Sequence, residues 1–221
     1  MDEGIQLYNQ GKYREALDVF LNLNVETDEY TELAYHLGLC YTKLSQFDEA
    51  VLYLEQVVTS EAAFTTVYQS RMILGYIYSI TERYRLAEFE FSRLLEDGYE
   101  SPKVYAALAY TQYHQKNVAA AVRNLQKAIT MDPDNVTALN NIGFILAEEG
   151  SNPDIALRYC RKAVDRSPDN PAYLDSLGWA YLKCGRLSEA RGYLKKALRM
   201  RPDDADIQGH MRMLERKEAR S

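Results

Sequence analysis

Residues able to hold a metal or act as nucleophiles are few in this chain, and they are scattered. The histidines, His36, His114 and His210, stand in separate segments without metal-ligand spacing. Three cysteines, Cys40, Cys160 and Cys184, cannot all pair and include no CxxC, which argues against both a disulfide framework and a zinc site. They read as small core or near-core residues. The sequence contains no GxxxxGK[ST], HExxH or GxSxG, the arrangements that cradle phosphate, bind catalytic zinc or present a serine nucleophile. Paired acids such as Glu148 and Glu149 fall at a helix end, where solvated carboxylates are common. The expectation is a chain with no catalytic residues, no metal and no cofactor, and therefore not an enzyme.

The chemistry that remains is that of aromatic side chains. Eighteen tyrosines, six phenylalanines and one tryptophan can bury apolar area while offering hydroxyl and indole N–H groups to polar partners. A net charge of -6 over 221 residues disfavours nucleic acid or an anionic membrane as the main partner, since both reward clustered Lys and Arg. No apolar run approaches the roughly 20 residues that span a bilayer. The compartment is not legible: an odd number of thiols suits the reducing cytoplasm, and a bacterial periplasm would require a leader since removed.

Two columns of small residues reveal what positions these side chains. One reads Gly4, Gly38, Gly75, Ala109, Gly143 and Gly178, and the other Ala16, Ala50, Ala87, Ala121, Ala156 and Ala190; both advance in steps of 34 to 37 residues. The cleanest copy is 171–204, in which Leu174, Leu177, Gly178 and Tyr181 take helical spacing, as do Leu187, Ala190, Leu194 and Ala197 after Gly185 and Arg186. This predicts a helix, a tight turn and a second helix, with Gly178 and Ala190 letting the backbones approach. Four residues after each alanine stand Phe20, Leu54, Phe91, Leu125, Cys160 and Leu194, the expected core.

Spacing and residue types resemble the tetratricopeptide repeat, a 34-residue helix-turn-helix motif, including the border prolines Pro133, Pro168 and Pro202. The resemblance covers nearly the whole chain and implies an all-α, right-handed α-solenoid superhelix. As a single solenoid it divides into an incomplete first repeat at 1–30, repeats at 31–64, 68–101, 102–135, 136–170 and 171–204, and a capping helix at 205–221. Asp97 and Gly98 should stop a helix before Ser101 and Pro102 start the next. In the fifth repeat one residue is inserted at GSNPD, where Asn152 and Pro153 read as a cap and first turn. The regular LGWAYLKCGRLSEA style resembles bacterial members of the family. Too few residues precede Gly4 for a full first helix, as expected of a piece of a longer protein.

On the first helix of each repeat, the residues three before, one after and four after the small residue share a stripe. By resemblance to the family that stripe lines the concave groove. Its members include Tyr35 and Leu39; Met72 and Tyr76; Tyr110 and Tyr113; Asn140 and Phe144; and Asp175 and Trp179, the candidate peptide-binding residues. The column directly after the small residue is apolar: Leu39, Tyr76, Tyr110, Phe144, Trp179. It departs from the family's best-known site, where Lys and Asn clamp a chaperone tail's carboxylate. The function the resemblance implies is a scaffold or adaptor that binds a peptide or helix of a partner protein, here in an aromatic groove. Two alternatives stand beside it: the regulatory or substrate-recognition region of a larger enzyme, and a self-association module forming a homo-oligomer. The basic residues around Arg186 to Arg220 read as a solvated outer face.

Overall fold

Each repeat supplies two amphipathic segments too short to persist alone in water, so each buries its apolar stripe against the other. A computed structural model describes residues 1–27, 29–150 and 152–220, and among them the chain is all-α, with thirteen helices and no strand. The chain divides into two compact units, Met1–Glu100 and Ser101–Ser221. The first contains α1 (Asp2–Asn9), α2 (Tyr13–Leu21), α3 (Tyr30–Lys43), α4 (Phe47–Val58), α5 (Phe64–Ile80) and α6 (Tyr84–Glu96). The second contains α7 (Pro102–His114), α8 (Val118–Met131), α9 (Val136–Glu149), α10 (Pro153–Arg166), α11 (Pro171–Lys183), α12 (Leu187–Met200) and α13 (Ala205–Glu218). Within each unit consecutive helices pair as hairpins, and neighbouring hairpins stack.

The two small-residue columns act through one interdigitation. A Cβ on Gly38 would lie 2.7 Å from the Leu54 side chain, and one on Gly178 would lie 2.7 Å from Leu194 Cγ. The alanine column and the residue four beyond it are buried in every repeat, so the second helix pushes one large side chain into the dent left by the glycine. In the fifth repeat that side chain is only Cys160, and the backbones close further: a Cβ on Gly143 would meet the Cys160 backbone nitrogen at 2.9 Å. Burial pushes the Cys160 thiol up to about 12, consistent with a packing role for this cysteine.

Helix starts follow from local chemistry. Proline occupies the first helical position of α7, α10 and α11, where no amide hydrogen is needed. Ser101, Asn117, Asn135, Asn170 and Asp204 accept backbone N–H groups of the first turn they precede. Asn152 stands at the N-cap of α10, but its side chain makes no capping hydrogen bond, and Ser151 in the same insertion lies outside the described residues. The turn inside each hairpin uses a left-handed residue seven positions after the small one: Gly11, Ser45, Glu82, Lys116, Gly150 and Gly185, all at φ between 59° and 79°. Half of these are not glycine and carry the steric penalty of that conformation.

Polar groups buried in the first unit were not foreseen from the repeat pattern. Arg71 Nη1 donates to Glu90 Oε2 at 2.7 Å, with side chains only 11% and 8% exposed. Arg71 Nε has no partner. Burial outweighs the adjacent guanidinium and holds the Glu90 carboxyl above the ordinary carboxylate range. Nearby, the Tyr78 hydroxyl donates to Glu55 at 2.6 Å while the Arg83 guanidinium lies over the Tyr78 ring.

Candidate functional site

In the first unit the stripe residues take different environments. The Tyr35 hydroxyl donates to Gln69 Oε1 on α5, and its ring meets that of His36 edge-on at 5.4 Å. Burial raises the Tyr35 phenol and lowers the His36 imidazole. His36 itself stacks on Phe20 at 5.2 Å. Leu39 and Met72 are half-buried, whereas Tyr76 is 56% exposed.

The second unit brings its stripe together more tightly. Tyr110 lies 4.4 Å from His114, His114 is 5.7 Å from Tyr113, and Tyr113 meets Phe144 edge-on at 6.3 Å. The line continues from Phe144 to His210 at 6.2 Å and ends where His210 stacks on Trp179 at 4.3 Å. These centroid separations are those of favourable aromatic pairs. Exposure falls along the line: Tyr110 is 41% exposed, Phe144 is half-buried and Trp179 is 5% exposed. Burial first, and then the Glu148 and Glu149 carboxylates, raise the Tyr113 phenol.

His210 accounts for that gradient, and it comes from α13. Ile207, Met211 and Leu214 bury one face of this helix, which packs on α12 and α11. Lys217 Nζ donates to the Leu182 carbonyl at 3.1 Å, and the Arg191 guanidinium pairs with Glu218. So fixed, α13 sets His210 Nδ1 2.9 Å from both Asp175 oxygens and lays the imidazole on the indole of Trp179. Trp179 Nε1 donates to Glu148 at 2.8 Å, and Lys183 lies over the same ring. Asp175 and Trp179 are thus satisfied from within the chain.

Beyond His210 the groove opens into a cavity of about 450 Å³. Its walls come from α7 (Tyr110, Tyr113, His114), α9 (Asn140, Asn141, Phe144), the start of α11 (Ala172, Asp175, Ser176) and the start of α13 (Asp204, Asp206, Ile207, His210). Ligand pockets commonly enclose about 300–1,000 Å³ with aromatic walls and a few polar groups. One polar atom is conspicuous. Asn140 is 7% exposed, its amide nitrogen makes only a 3.5 Å contact with Asn141, and its Oδ1 has no partner. Among the described residues no group of three His, Cys, Asp or Glu side chains comes together as a metal site would need, and no helix is long and apolar enough to cross a membrane.

Of the candidate residues, Tyr110, Tyr113, Asn140, Phe144 and Asp175 line this cavity. Trp179 stands behind His210. Tyr35, Leu39, Met72 and Tyr76 belong to the first unit. His114, His210, Ser176, Asp204 and Asp206 also line it, and the repeat register did not single them out. Residues of the first helices could have been found by extending the stripe, but those of α13 lie outside the repeat pattern.

Known proteins share the helical-repeat fold. Tetratricopeptide-repeat family models match residues 147–214 and 31–64, and a TPR repeat model matches 109–150. Protein O-mannosyl-transferase TMTC1 of Homo sapiens is 24% identical over 221 residues, covering 98% of this chain; the chain spans 21% of that relative's length. Among solved structures, YrrB, described as a TPR protein with an unusual peptide-binding site, superposes with a TM-score of 0.60 at 19% identity, covering 90% of this chain and 97% of YrrB. The thermophilic TPR protein TTC0263 of Thermus thermophilus gives 0.65 at 19% identity, with 83% and 98% covered. The Cut9–Hcn1 hetero-tetramer of the APC/C gives 0.79 at 16% identity, with 98% of this chain and 42% of that one covered. At these identities the likeness is one of fold, an all-α helical-repeat solenoid.

Proposed function

Because the chain belongs to the tetratricopeptide-repeat family, we propose that it is a non-enzymatic binding scaffold that holds a segment of a partner protein in the aromatic groove of its second unit. The observation that carries this reading is the cavity of about 450 Å³, walled by Tyr110, Tyr113 and Phe144 and closed at one end by His210. A fold that in YrrB carries a peptide-binding site supports it. Burying a large apolar side chain contributes about 1.5–3 kcal/mol. Two or three anchors contribute about 3–9 kcal/mol before ordering costs, so micromolar affinity, about 8 kcal/mol, also requires hydrogen bonds from the bound segment. The test is capture of partners by the intact chain and by the Tyr110→Ala/Phe144→Ala variant, with helicity followed by circular dichroism. Partner loss with helicity retained, and recovery in Tyr110→Phe, is the expected result. Binding that survives the double substitution in a folded chain rejects the groove.

A second reading is favoured by the mannosyl-transferase relative, of which this chain matches about a fifth: the groove is then the recognition region of a larger enzyme, and the segment it holds belongs to a substrate protein or to the enzyme itself. Joining the chain to its native neighbours, and finding that groove substitutions change activity only toward protein substrates, would favour this version.

A further inference from the structure

Resting on the groove reading, a finer question is which side chain the cavity is built to take. Its walls hold Asp175, Asp204 and Asp206 and no lysine or arginine among the described residues. Asp175 already faces His210, and Asp204 caps the first turn of α13 and lies 3.8 Å from Arg201. Helix starts at α11 and α13 oppose these charges with about half a positive charge each, and with Asp175 and Asp204 so engaged, Asp206 is the wall carboxylate with no ion pair among the described residues. The second observation is independent of charge. Asn140 Oδ1 is a buried hydrogen-bond acceptor with no donor, and leaving such a group unpaired costs about 1–3 kcal/mol. An incoming N–H would relieve it once the Asn140 amide turns its oxygen into the cavity; the Asn140 Nδ2 group can itself donate, so it is the acidic walls that disfavour a carboxylate. The same cavity is lined by Tyr110, Tyr113 and Phe144, aromatic rings of the kind whose faces attract cations and stack on planar groups.

We propose that the cavity receives an arginine side chain of the bound segment, with the guanidinium stacked among the aromatic rings, one N–H on Asn140 Oδ1 and its charge offset by Asp206. A guanidinium presents five donors in a plane, fits flat between rings and sheds water more readily than an ammonium. Lysine meets the charge requirement but not the planar one. Glutamate meets neither.

The test uses the full chain and four blocked alanine pentapeptides carrying a central arginine, citrulline, lysine or glutamate, followed by chemical-shift changes of backbone amides. The arginine peptide should move the Asn140, Phe144, Asp206 and Ile207 signals in a saturable, salt-sensitive way. Citrulline, of the same shape without charge, should bind about tenfold or more weakly, the expectation for losing a charged hydrogen bond. Asp206→Asn should weaken the arginine peptide and flatten its salt dependence, and Asn140→Leu should weaken it with the fold retained. Equal binding of arginine and citrulline at the cavity overturns the cationic occupant while leaving the groove itself in place. Lysine matching arginine overturns the guanidinium, and preference for glutamate, or shifts confined to other surfaces, overturns the proposal altogether. The groove reading stands or falls separately on the Tyr110/Phe144 capture experiment.

Discussion

Replacing Asn140 by leucine should make the protein more stable while disabling its groove. In the folded chain Asn140 is only 7% exposed, its Oδ1 has no partner and its amide nitrogen has one contact at the 3.5 Å limit. An unsatisfied buried oxygen costs about 1–3 kcal/mol, and the Asn141 contact forfeited is worth no more than about 0.5 kcal/mol at that distance. Leucine repeats the branched outline of asparagine with bulkier methyl groups, and the adjoining cavity takes up the added volume, so its apolar burial adds to the gain rather than opposing it. The net expectation is about 1–2 kcal/mol in favour of the variant, a rise of about 0.5–1 M in urea midpoint for a slope typical of such domains. Equilibrium unfolding read by Trp179 fluorescence reports on the second unit, because Trp179 is the only tryptophan and lies buried in α11. Far-ultraviolet circular dichroism follows the whole chain. Asn140→Ala is the control: it removes the orphan acceptor and also the packing, and should be close to neutral. A leucine variant destabilised by about 1 kcal/mol or more would refute the reasoning, since Asn140 Oδ1 would then be satisfied in the folded protein and would impose no demand on a ligand. The opposed signs of stability and binding are what a residue kept for function rather than packing should display.

Four further outcomes follow from packing and burial. Gly143→Ala should destabilise by about 1–3 kcal/mol, because the new Cβ meets the backbone nitrogen of Cys160 at 2.9 Å; Gly192→Ala, with nothing within 4 Å, should gain about 0.5–1 kcal/mol, and denaturant titration of both checks the sign. Lys116→Gly should stabilise by up to about 1 kcal/mol by relieving a left-handed lysine at φ 65°, whereas Gly185→Ala at φ 76° should lose a similar amount, both measured as midpoint shifts. Either Arg71→Met or Glu90→Leu alone should destabilise by about 3–5 kcal/mol, with the pair together near neutral, as expected for a buried ion pair. Because burial holds the Glu90 carboxyl above its ordinary range, the folded chain keeps this proton more tightly than the unfolded chain does. The group's contribution is therefore full at pH below the ordinary carboxylate value and is lost as pH rises through the raised one. Stability relative to the Arg71→Met/Glu90→Leu protein, measured against pH, should fall over that interval; a rise would reverse the assignment.

The repeat was legible because a helical repeat protein is held together by contacts between sequence neighbours. A residue such as Gly178 and its knob Leu194 are sixteen positions apart, and the same pair recurs as Gly38 with Leu54. Period and residue size alone therefore indicate the hairpin, its all-α class and the stripe containing Tyr110, Phe144 and Trp179. The left-handed turn was half legible: Gly11, Gly150 and Gly185 mark it, but Ser45, Glu82 and Lys116 occupy it too, because the hairpin on either side imposes a backbone that these residues would not choose. The Arg71–Glu90 pair was not legible, since nothing in either helix says that two charged side chains face inward rather than outward.

What tertiary structure alone decided is what each aromatic of the stripe touches. Tyr110 and Trp179 occupy equivalent places in the repeat, yet one is 41% exposed and the other 5%. The difference arises from α13, a helix outside the repeat register, whose rotation is set by Ile207, Met211 and Leu214 against α11 and α12 and by the Lys217 and Arg191 contacts. That rotation carries His210 onto Trp179 and Asp175. Periodicity describes what repeats; the end of the groove is made by a segment that occurs once, and its phase depends on packing that no column of the sequence contains.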